Sequence, residues 1–124
     1  MRILGIILMG FTVAAALLGA NINGTWEGDM HGRNGDAVHV EMNLKANEGV
    51  LTGTLRTAAG ETEIEHGEVD GEYILFNVVR EANGNQVTQK YRGHVNAETI
   101  DFTLTTVGPG GERTQDFIVK KIGS

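Results

Sequence analysis

From Gly24 onward the chain alternates apolar and polar residues, and turn residues interrupt the alternation about every ten to twelve positions. Alternation with period two marks a strand with one buried face. No stretch keeps a 3.6-residue period, so no helix is predicted in this part. Eight runs emerge, at residues 24–31, 36–45, 50–57, 61–66, 72–81, 86–95, 99–107 and 113–122. In the second, Val38, Val40, Met42 and Leu44 share one face, and His39, Glu41, Asn43 and Lys45 the other. Leu51, Gly53 and Leu55 point inward from the third. The fourth is weakly apolar, with Ile64 as its one clear core residue. The fifth is the most apolar, from Tyr73 to Val79. Val87, Tyr91, Gly93 and Val95 line the sixth, Ile100, Phe102 and Leu104 the seventh, and Phe117 and Val119 the eighth. Asn47-Glu48-Gly49, Asp70-Gly71, Asn83-Gly84 and Asn96-Ala97-Glu98 are turn signals.

Eight short strands joined in order form a meander, and closing it removes two exposed edges. The expected fold is all-β, an eight-stranded antiparallel up-and-down β-barrel. A two-sheet sandwich is the alternative. An eight-stranded barrel is wide enough to be filled by side chains or to hold one small ligand.

The first twenty residues differ in kind. Met1-Arg2 is a short positive start, residues 3–18 are almost wholly apolar, and Gly19-Ala20 ends the run with small residues. This reads as a signal peptide helix at 1–20, removed after Ala20 or at Ala14-Ala15-Ala16, with an uncleaved membrane anchor as the alternative. The barrel domain is then 21–124. There is no cysteine, hence no disulfide or thiolate metal site. Export without disulfides suits a bacterial periplasm or the cell exterior. Net charge is −6, and loss of Arg2 makes it −7. An acidic chain without basic clusters argues against nucleic acid or an anionic membrane as partner.

Gly24-Thr25-Trp26 at the start of the first run resembles the Gly-x-Trp motif of the lipocalin and fatty-acid-binding (calycin) barrels. The resemblance implies a basic residue of the last strand packed across the indole. In an up-and-down barrel the first and last strands are antiparallel neighbours, which puts Lys120 or Lys121 beside Trp26. The family's usual arginine is a lysine here. The cadence Gly-Thr-Trp, Leu51-Thr52-Gly53-Thr54-Leu55, Val69-Asp70-Gly71 is similar to small exported lipocalin-like domains of environmental bacteria. Gly24, Trp26 and Gly28 also resemble the opening of the haem-binding nitrobindin barrel, whose further glycine, Tyr-Pro and C-terminal histidine are absent. Gly24, Trp26, Lys120 and Lys121 are therefore expected to be structural, at a closed end.

Strand direction sorts the loops onto two rims. One collects Arg33, Arg56, Arg80 and Arg113 with His31, Asn34, Asn83, Asn85 and the glycine-rich 108–111 segment, expected to be its longest loop. This is the expected mouth, and the resemblance implies that it is the open one. Arg33, Arg80, Arg113 and His31 at its edge, with Tyr91, Gln89 and Gln115 inside, are the candidate ligand-binding residues for a small, anionic or apolar molecule. The plainer alternative pairs the arginines with Asp29, Asp36, Glu61, Glu81 and Glu112. Inward Gln89 and Gln115 require partners, which a ligand, water or a wet barrel end would supply.

Other chemistry is less well supported. The carboxylates of Glu61, Glu63, Glu65, Glu68, Asp70 and Glu72 form a row, whereas calcium wants converging oxygens and a glycosidase wants carboxyls facing across a cleft. His31, His39, His66 and His94 show no metal-ligand spacing. There is no nucleophile elbow, no cysteine and no phosphate loop. No catalytic residue, metal or cofactor is implied. The leading expectation is a non-catalytic ligand-binding module. A surface module using Val50, Leu75, Val79 and Ile118, or an enzyme on the same scaffold, stands beside it.

Overall fold

The structure, a computed structural model, describes residues 22–32 and 34–123. The expected leader at 1–20 and the candidate Arg33 lie outside the described residues. Nine strand segments follow one another: β1 (Gly24–His31), β2 (Ala37–Asn47), β3 (Val50–Thr57), β4 (Gly60–Glu63), β5 (Glu65–Asp70), β6 (Tyr73–Ala82), β7 (Asn85–Asn96), β8 (Thr99–Gly108) and β9 (Gly111–Gly123). Consecutive segments pair antiparallel except β4 with β5, which both pair with β3, and β9 returns to β1. The ring closes, so the sandwich is excluded and the expected barrel is the fold.

The barrel has eight strands because β4 and β5 are two halves of one. Both pair with β3, β4 from Thr54↔Glu63 to Thr57↔Gly60 and β5 at Val50↔Glu68. Between them Ile64 is buried, and its N–H donates to the Gly53 carbonyl at 3.1 Å. His66 takes φ +55° and the register with β6 slips between Glu65 and Glu68, which is a β-bulge. The fourth run was expected to stop at 66. It continues to Asp70 because the bulge lets the strand bend without leaving the sheet. The β5–β6 ladder ends at Asn77, so on that side β6 has no strand partner near the mouth.

Residues opposite one another in a ladder share a face, and the register of β6 to β9 therefore stacks the interior in layers. Lowest is Val95, Ile100 and Val119; above it lie Ile74, Gly93, Phe102 and Phe117. Next come Phe76, Tyr91, Leu104 and Gln115, then Val78, Gln89, Thr106 and Arg113, then Arg80 and Val87. The lower layers are solid. Phe76 stacks on Tyr91 at 4.7 Å and Phe102 on Phe117 at 5.3 Å, with Tyr91 edge-on to Phe102 at 5.9 Å. From the facing wall Trp26, Val40, Met42, Leu44, Leu51 and Leu55 complete the core.

The lower end is shut by the segment entering β1. Trp26 and Ile22 are fully buried, and the indole Nε1 donates to the Ile22 carbonyl at 2.9 Å. Asn23 Oδ1 accepts the Ala46 N–H at 2.7 Å, fixing the same segment to β2. Lys121 stands opposite Trp26 in the β1–β9 ladder, and its Nζ lies 5.6 Å from the indole centroid. Lys120 is exposed, opposite Glu27 and Thr99.

Candidate functional site

The upper end opens into a cavity of about 570 Å³. It is the inside of the barrel above the aromatic layers, where inward positions turn from apolar to polar. One wall, from β6 to β9, presents Arg80, Gln89, Thr106 and Arg113 with Val87 and Leu104. The other, from β1 to β4, presents Met30, Val38, Thr57 and Ala59. A recess of about 270 Å³ beneath the β8–β9 turn adjoins it, sharing Val87, Thr106 and Arg113.

Arg80 is held in place from within. Its Nε donates to Gln89 Oε1 at 3.0 Å. The Tyr91 hydroxyl is 3.5 Å from the same oxygen and 4.0 Å from Met30 Sδ, the two acceptors open to its one proton. Burial pushes the Tyr91 hydroxyl up to about 12, and the Arg80 charge pulls weakly the other way. A raised folded value means that the unfolded chain ionises first. The Tyr91 contribution is therefore intact below pH 10 and lost as pH rises toward 12. The expected loss, followed by denaturant unfolding against pH, is roughly 2–3 kcal/mol. A flat profile across that window would contradict the buried hydroxyl.

Gln115 has a different task from the one expected. Its Oε1 accepts the His31 N–H and its Nε2 donates to the His31 carbonyl, each at 2.9 Å. The paired residues of β1 and β9 run only from Thr25↔Gly123 to Gly28↔Val119. Near the mouth the Gln115 side chain thus stands in for a backbone partner and closes the seam. Both its amide groups are occupied by that clamp, although the residue still lines the cavity. Gln115→Leu is expected to cost about 1–2 kcal/mol and to speed hydrogen exchange at the His31 amide; unchanged exchange there would refute the clamp.

Of the arginines expected to pair with carboxylates, Arg56 does so, with Glu41 rather than one of the expected acids, while Arg80 and Arg113 do not. Among the described residues Arg56 forms an ion pair with Glu41, and two imidazoles lie against carboxylates, His39 against Glu27 and Asp29 and His94 against Glu72. Arg80 and Arg113 are in none of them. Arg56 lies on the outer face and does not line this cavity. Arg92 packs over the Tyr73 ring at 4.4 Å on the outside. The 108–111 segment is shorter than expected: Gly108 and Gly111 pair in the ladder, leaving Pro109 and Gly110 as a two-residue turn. The longer rim connection is β1 to β2, braced by the Gly32 N–H to the Asp36 carbonyl at 2.8 Å and by Asn34 Nδ2 to Asp36 Oδ2 at 2.9 Å.

The cavity therefore gathers His31, Arg80, Gln89, Arg113 and Gln115, with the Tyr91 hydroxyl directly beneath. Thr106 and Met30 were not singled out from the sequence. Thr106 follows the inward Leu104 by two and Met30 the inward Trp26 by four, so both were legible from period alone. The outward apolar residues do not form one patch. Val50 and Leu75 flank Glu68 in the ladder, and Ile118 faces Asp101. Among the described residues no three His, Cys, Asp or Glu side chains are grouped to hold a metal. No family model, no curated protein and no solved structure matches this chain.

Proposed function

We propose that the protein is an exported, non-catalytic binding module of lipocalin type, holding one small molecule in the open upper third of its barrel. The observation that carries this reading is the change of the interior from solid aromatic layers to a polar, open cavity within one barrel. A barrel that served only as a scaffold would gain by filling those layers with apolar side chains, as it does below. Instead Arg80, Gln89, Thr106 and Arg113 occupy inward positions, and a cavity of about 570 Å³ is left above Tyr91. This lies within the usual range for small-ligand sites.

The scattered outer apolar residues weigh against a surface-docking role. The lower end, closed by Trp26 and Ile22, leaves the upper rim as the way in. The acidic balance keeps nucleic acid and anionic membranes off the list of partners. Native mass spectrometry of the mature protein taken from its own host tests the reading. The expected result is a co-purifying small molecule released on unfolding and absent from a variant with Thr106→Trp filling the cavity. Bare protein under the same gentle conditions would overturn it.

A further inference from the structure

We infer that the molecule held in this cavity is a small amphipathic carboxylate, lying with its charged end on the β6–β9 wall and its apolar body on the β1–β4 wall. The inference rests on the binding reading above and adds the chemistry of the ligand.

Three features carry it. First, the cavity is two-sided. Half-buried Arg80, bonded to Gln89, and exposed Arg113, opposite Thr106, line one wall with Glu81 on the same side, while Met30, Val38 and Ala59 line the other without a charge. Second, Arg80 is poised for a planar anion. Gln89 Oε1 takes its Nε hydrogen at 3.0 Å, which orients the guanidinium and leaves the two terminal nitrogens for a ligand. Two parallel N–H groups match the two oxygens of a carboxylate. Third, neither arginine of the cavity is paired with a carboxylate of the described chain, although Glu81 lies on the same rim. In a chain of net charge −6, acidic partners were abundant. A half-buried guanidinium supported by a neutral glutamine keeps its full attraction for an incoming anion, whereas one paired to a glutamate would not.

Arg80 is here a ligand-contacting residue and Gln89 a positioning residue. Gln89→Leu removes the support while leaving the charge, so the site keeps its preference for anions but loses the preference for a flat one.

Three probes separate the parts: phenylacetate, its uncharged analogue phenylacetamide, and acetate, each titrated by ITC and by amide chemical shifts. The expected order is phenylacetate first, with the other two at least about ten-fold weaker. Arg80→Gln is expected to lower phenylacetate affinity about ten-fold and to leave phenylacetamide unchanged, with Arg80→Lys in between. Unfolding midpoints of these variants check that the barrel is intact. Should phenylacetamide bind as well as phenylacetate, or Arg80→Gln bind phenylacetate normally, the carboxylate is wrong. Acetate binding as tightly as phenylacetate removes the apolar wall from the argument. A neutral molecule co-purifying in the cavity, with all three probes failing, sinks the ligand class while the binding module survives. An empty cavity in both experiments sinks both.

Discussion

Trp26→Ala is expected to lower stability by roughly 3–5 kcal/mol, a fall in melting temperature of roughly 15–30 °C for a domain of this size. Trp26 is fully buried, and its indole does two things at once. The ring fills the closed end against Met42 across the ladder and carries Lys121 on its face at 5.6 Å. Its N–H holds the Ile22 carbonyl, which seats the Ile22 side chain in the core. Alanine leaves a cavity that the sheet cannot collapse into, and it also releases the plug. Trp26→Phe retains most of the volume and loses the hydrogen bond, so about 1–2 kcal/mol is expected. In both variants, at temperatures where they are folded, affinity at the upper cavity should match the parent protein, because the solid aromatic layers lie between the two ends. Denaturant unfolding and calorimetric titration on the same samples measure both quantities. Selective loss of binding in a still-stable variant would move the site to the wrong end of the barrel.

The second large effect comes from a residue with no side chain. Gly53 sits in β3 with φ +151°, and a Cβ built there would lie 1.9 Å from the Asn43 carbonyl oxygen of β2. Nothing but glycine allows the two strands this approach. Gly53→Ala is expected to cost on the order of 3 kcal/mol, from backbone strain and the forced shift of β2 together. Gly49, in the preceding turn, makes the control. Its φ is +83° and a Cβ there would meet nothing within 4 Å. Gly49→Ala should therefore cost only about 1 kcal/mol, the conformational part alone. Equal costs at the two positions, read from urea unfolding midpoints, would mean that the β2–β3 crossing is not tight.

These two sites also show where the sequence was informative. Alternation placed Leu51, Gly53 and Leu55 on one face, and the face was right. It could not show that Gly53 is needed by β2 rather than by β3, because close approach of two backbones leaves no trace in the periodicity of either strand. The same limit hid the break at Ile64. A bulge adds a residue without adding an apolar one, so the pattern simply faded after His66 and looked like a loop. For the cavity, Arg80, Gln89 and Arg113 were legible as inward or rim residues by counting in twos. The task of Gln115 was not, since its partner is the backbone of His31, 84 positions away.

The amino-acid sequence by itself determined the strands, their alternating faces, their order and the sorting of loops to two rims. These are local properties, set by period-two burial and by turn residues. The tertiary structure alone decided how far up the barrel the packing is solid. Filling is a matter of volume summed over facing walls: Phe76, Tyr91, Phe102 and Phe117 meet in the middle, and the smaller, polar side chains above them do not. It also decided which partners the charged groups find. Arg56 reaches Glu41 on the outer wall, while the inward turn of β6 gives Arg80 a glutamine instead. That choice is made by the closing of the ring, which brings β6 to β9 around one polar cavity whose one acidic lining residue, Glu81, pairs with neither of its arginines.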